Sequence, residues 1–63
     1  MTIINILKSS DSVTVILETK EPSGEVFVHE FEQVAVFPCD RMTCAEAVAD
    51  SVSRAINAPI VWL

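Results

Sequence analysis

The segment Glu25 to Phe37 constrains this chain most: thirteen residues, rich in Val and Phe, with neither glycine nor proline among them. Such side chains favour extended backbone, and at about 3.3 Å per residue the strand would run roughly 43 Å. A compact domain of 63 residues has a radius of gyration of about 10.6 Å and a diameter of roughly 27 Å. The strand must therefore bend, so that its two halves show different faces to one core, or project and pair with another chain. Pro38 ends it, because proline has no donor for the ladder.

Two further strands precede it. Met1 to Lys8 is rich in Ile and Leu, and Val13 to Lys20 is β-branched. Between them, Ser9-Ser10-Asp11-Ser12 carries side chains that bond to nearby backbone, as turns require. Pro22-Ser23-Gly24 reads as a three-residue hairpin loop, a type I turn closed by a glycine bulge. That loop would place Glu21 opposite Glu25, Thr19 opposite Phe27, Leu17 opposite His29 and Val15 opposite Phe31. Val13, Val15, Leu17, Phe27 and Phe31 would then share one face, since side chains alternate along a strand.

A helix follows. Thr43 fits an N-cap, with Glu46 three residues on to complete a capping box. Ala45, Val48, Ala49, Val52 and Ile56 recur at helical spacing, Asp50 and Arg54 lie one turn apart on the polar side, and Asn57-Ala58-Pro59 closes the helix. Ile60 to Leu63 reads as a short buried strand. A right-handed crossover would set it parallel to the third strand, beside the first. The expected fold is one α+β domain over residues 1–63: a three-stranded antiparallel meander, an amphipathic helix on one sheet face and a short C-terminal strand, in the order βββαβ.

One helix covers one sheet face, and Phe27, Phe31, Ala35 and Phe37 make the better contact. The opposite face would then carry Ile16, Val26, Val28, Val34 and Val36, interrupted by Glu18, Glu30 and Glu32. A sheet face left to water normally alternates to polar residues; this one has apolar ends and an acidic middle. Ile16, Val26, Val28, Glu30, Glu32, Val34 and Val36 are therefore the candidate interface residues. Apolar residues make up 51% of the chain and the mean hydropathy is +0.45. That is more apolar surface than one small core hides, and domains of this size are marginal alone. A homodimer, or another protein, is the expected partner.

Charge and motifs exclude several functions. Four basic residues, Lys8, Lys20, Arg41 and Arg54, stand scattered against nine acidic ones, for a net charge of −5. Phosphate neutralisation needs grouped bases, so neither nucleic acid nor an anionic membrane is an expected partner. The longest aliphatic or aromatic run, Val34 to Phe37, is too short to span a bilayer. MTIINILK lacks the pattern of a signal peptide, and two cysteines without a secretory signal point to free thiols in the cytoplasm.

Cys39 and Cys44, with Asp40 between them and His29 elsewhere, fall short of the paired ligands of a structural zinc site. Cys44 as the first residue of a helix, near Arg41, would have an activated thiol, and His29 is the sole imidazole available as its base. Packing cysteines and a locally satisfied histidine are the simpler reading. The carboxylate pairs Glu30/Glu32 and Glu46/Asp50 read as solvated faces rather than a cleft. No cofactor is implied and the chain is not expected to be an enzyme. Three roles remain in order: a non-enzymatic, self-associating interaction module; an acidic inhibitor or adaptor, with nucleic-acid mimicry as one form of it, that binds a basic surface on a larger protein; and, third, thiol chemistry at Cys44. No motif is specific enough to assign a family.

Overall fold

The computed structural model describes the backbone of residues 1–63 and every side chain except that of Ser23. The chain runs β1 (Thr2–Lys8), β2 (Ser12–Ser23), β3 (Val26–Pro38), a single 3-10 turn (Cys39–Arg41), α1 (Met42–Ile56) and β4 (Ile60–Trp62). The expected βββαβ order is what forms. The four strands make one sheet in the order β3-β2-β1-β4. β1 pairs antiparallel with β2, β2 antiparallel with β3, and β4 parallel with β1. β4 thus runs parallel to β3 and beside β1.

The core lies between one sheet face and α1. Ile4 and Ile6 from β1, Val13 and Val15 from β2, and Ala45, Ala49 and Ala58 are buried, with Leu17, Phe37, Met42, Val52 and Ile60 packed around them. The sheet register explains this set: Ile4 opposes Leu17 and Ile6 opposes Val15 on one face of the β1–β2 pair. Small alanines on the helix let it approach the branched side chains closely. Ile56, placed in the stripe by its spacing, sits at the helix end and is half-exposed. Asp50 and Arg54 form the expected ion pair at 3.2 Å on the outer face, where it contributes little.

Three local readings are corrected. The second hairpin turn is Gly24-Glu25, not Pro22-Ser23-Gly24; Pro22 and Ser23 belong to β2. Gly24 has φ +63° at the first position of a two-residue loop, the place that a type II′ turn gives to glycine. Pro22 lies beyond the end of β1, where β2 has a neighbour on one side only, so its missing donor is tolerated. The helix begins at Met42, so Thr43 and Cys44 are its second and third residues, and no side-chain cap bond closes it. The preceding 3-10 turn tightens the entry instead. Asn57, in the left-handed region at φ 54°, ends the helix by donating its N–H to the Ser53 carbonyl. β4 is an edge strand rather than a buried one: Ile60 reaches the core, but Val61, Trp62 and Leu63 are exposed.

The turn position has a large consequence. Pairing now runs Pro22–Phe27, Lys20–His29, Glu18–Phe31 and Leu17–Glu32. Phe27 and Phe31 therefore face away from the helix, because a change of parity moves every side chain to the other face. A bulge then intervenes. Ile16 opposes Gln33 and Val15 opposes Ala35, which leaves Val34 without a partner on β2. This extra residue restores the parity, so Ala35 and Phe37 do point to the helix side. The long strand thus shows different faces in its two halves, as a bent strand would. Its outer half also projects: β1 reaches only to Thr19 on β2, and the molecule measures 43 × 24 × 15 Å with a radius of gyration of 12.6 Å.

Candidate interaction surface

Residues 20–29 form a two-stranded arm beyond the end of β1, and β3 is an edge strand along its whole length. The helix-free face of the sheet carries Ile3, Asn5 and Leu7 from β1, Thr14, Ile16, Glu18 and Lys20 from β2, and Phe27, His29, Phe31 and Val36 from β3. Phe27 and Phe31 are each 62% exposed, Val34 is 41% and Val36 is 49%. Exposed apolar groups of this density on one face mark a contact surface more often than a solvated one.

A polar cluster sits within that face. Glu18 is only 8% exposed, and both of its carboxylate oxygens are occupied. Asn5 Nδ2–H donates to Oε1 at 2.8 Å, and His29 Nε2–H donates to Oε2 at 2.6 Å. Lys20 Nζ lies 3.5 Å from the same oxygen. Asn5 and then His29 hold the Glu18 carboxyl below its ordinary range, with a smaller pull from Lys20; desolvation opposes them. This buried carboxylate ties three neighbouring strands together: Asn5 on β1, Glu18 on β2 and His29 on β3. The His29 ring is in turn 4.6 Å from that of Phe31 and 6.5 Å from that of Phe27, centroid to centroid. The three rings form a ladder along one side of β3, anchored at its centre to Glu18.

The structure divides the residues singled out from sequence. Ile16 and Val36 lie on the helix-free face, with Val34 beside them at the bulge. Val26, Val28, Glu30 and Glu32 lie on the opposite face of β3, but on the part that α1 does not reach, and all except the half-buried Val28 are exposed. Phe27 and Phe31, assigned to the helix side by the sequence reading, are the residues it missed. The signal was present in the Gly-Glu pair at the turn, which fits a two-residue loop as well as Pro-Ser-Gly fits a three-residue one.

Cys39 is exposed, Cys44 half-buried, and both are free thiols. Cys44 belongs to the helix on one side of the sheet and His29 to the other face, so the sheet separates them. Among the described residues, no three His, Cys, Asp or Glu side chains are grouped to hold a metal ion. No helix is long and apolar enough to cross a membrane. No known family, curated protein or solved structure matches the chain.

Proposed function

We propose that this chain is a non-enzymatic interaction module that works by self-association, as a dimer built on β3, in the reducing cytoplasm. One observation carries the reading: β3 joins a free backbone edge of thirteen residues to exposed Phe27, Phe31 and Val36 on the helix-free face, with exposed Val34 beside them at the bulge. An edge strand that stays single is usually short, charged or covered, and this one is long and apolar at eight of its thirteen positions. The accessible surface, 4305 Å², exceeds the roughly 4,000 Å² expected of a folded monomer of this mass. A second copy on the projecting arm would cover part of that surface.

The test is the pair Phe27→Glu and Val34→Glu in one chain. Both side chains are exposed in the monomer, so the fold should survive, and the charges should leave a 6.9 kDa monomer by light scattering. An unchanged mass with native circular dichroism would refute the reading.

A second reading rests on Glu21, Glu30 and Glu32, which share the other face of the arm and its root. This acidic strip suits a basic surface on a larger protein, with association that weakens as salt screens it. Glu18 takes no part, because it lies on the helix-free face with its oxygens already bonded. Binding to such a partner should fall steeply between low and moderate salt, and salt-insensitive binding would exclude this role.

A further inference from the structure

Resting on the proposed self-association, we infer that two copies join antiparallel along the outer edge of β3, about a two-fold axis that passes through His29. Residues directly opposite each other in a sheet point to the same face. In a two-fold β3–β3 pair the axis must therefore pass through a residue, never between two. The regular part of the edge is bounded by the turn at Gly24-Glu25 and the bulge at Val34, and a bulge ends regular pairing.

Charge then selects the residue. An axis at Glu30 sets that carboxylate against its own copy, and one at Glu32 does the same. An axis at Phe31 sets Glu30 against Glu32 twice. Like charges directly opposite destabilise a sheet. An axis at Phe27 or Val28 avoids the clash but shortens the overlap. Only His29 lets the paired segment span Val26 to Glu32 without an acid opposite an acid. It also sets Phe27 of each copy opposite Phe31 of the other, Val28 opposite Glu30, and Val26 opposite Glu32. Aromatic cross-strand pairs are among the favourable ones.

The rest of the fold leaves this edge open. α1 packs on the half of the sheet that holds Ile4, Ile6, Val13, Val15 and Phe37, away from the paired segment. The bond from His29 to Glu18 holds the imidazole to its own copy. The product is one eight-stranded sheet with two helices at opposite ends.

Single cysteines placed in turn at positions 27 to 32, in a chain with Cys39→Ala and Cys44→Ala, test the axis. Only the residue on the axis meets its own copy directly, with Cα atoms about 4.5–5.5 Å apart and inside disulfide reach. Positions one residue away meet diagonally at roughly 7–8 Å, beyond that reach. With oxidised glutathione as oxidant, His29→Cys should give at least tenfold more covalent dimer than its neighbours. Because that change removes a bond to Glu18, isotope-filtered nuclear Overhauser contacts between Phe27 and Phe31 of different copies provide a check on the unaltered chain. A dimer that cross-links best elsewhere, and lacks those contacts, overturns the axis while leaving self-association standing. A chain that stays monomeric by light scattering overturns both.

Discussion

Phe27→Ser separates association from folding. Phe27 lies on the arm, outside the core cluster, and is 62% exposed. A phenylalanine buries roughly 200 Å² when fully enclosed, so about 125 Å² of this ring stays in water in each monomer. A two-fold assembly removes that surface twice. If half of it is covered, about 125 Å² in total is lost from water, worth roughly 3 kcal/mol at ~25 cal/mol per Å². The dissociation constant should then rise about a hundredfold. Monomer stability should change less, by at most about 2 kcal/mol, the value of the part of the ring already covered. Sedimentation velocity over a dilution series measures the first quantity, and urea unfolding at a concentration where the parent is monomeric measures the second. A variant that dissociates at the same concentration as the parent would refute the reasoning, because the ring would then have stayed in water throughout.

Val15→Ala should do the reverse: a fully buried side chain between Ile6 and Ala35 loses two carbons, which costs about 2 kcal/mol with the residual cavity. Urea midpoints should fall while the association of the folded chain is unchanged; an altered dissociation constant at full folding would contradict the placement of the core. Glu18 has a folded-state pKa lowered from 4.5, so its contribution is complete above that value and is lost as pH falls through the folded-state pKa. Glu18→Gln should therefore be less stable than the parent at pH 7 and show a shallower loss on acidification to pH 3; parallel pH profiles by urea unfolding would exclude the network's role. Gly24→Ala should cost about 1–2 kcal/mol for a side chain at φ +63°, although the site has open space around it. Gly24→Asn should cost less, and equal losses on thermal unfolding would rule out the turn assignment.

Local periodicity made most of the architecture legible. Ala45, Val48, Ala49 and Val52 could only form one stripe as a helix, and the crossover rule put β4 beside β1 because a helix separates it from β3. Even the excess length of β3 was readable as arithmetic, and the arm is its result. The register was harder to read because it depends on one choice of turn. Gly24 closes a three-residue loop from behind or opens a two-residue loop from in front, and propensity alone does not separate the two. The bulge at Val34 was hidden for a related reason: it shows only when both ends of the β2–β3 ladder must satisfy one core. Val13 and Val15 need Phe37 and Ala35 on their face, while the turn sets the opposite parity, and one unpaired residue reconciles them. Asn5, Glu18 and His29 lie far apart in sequence, so their cluster emerges only once that register is known. Trp62 was misplaced because an apolar run of four residues looks the same in a buried strand and at a sheet edge.

The most direct test is the absolute mass of the unaltered chain, by light scattering after gel filtration over a hundredfold range of concentration. The expected result is a dimer near twice 6.9 kDa that dissociates on dilution and disappears in Phe27→Ser. A mass of one chain at every concentration would contradict it, leaving the free edge of β3 and its aromatic ladder to a different protein.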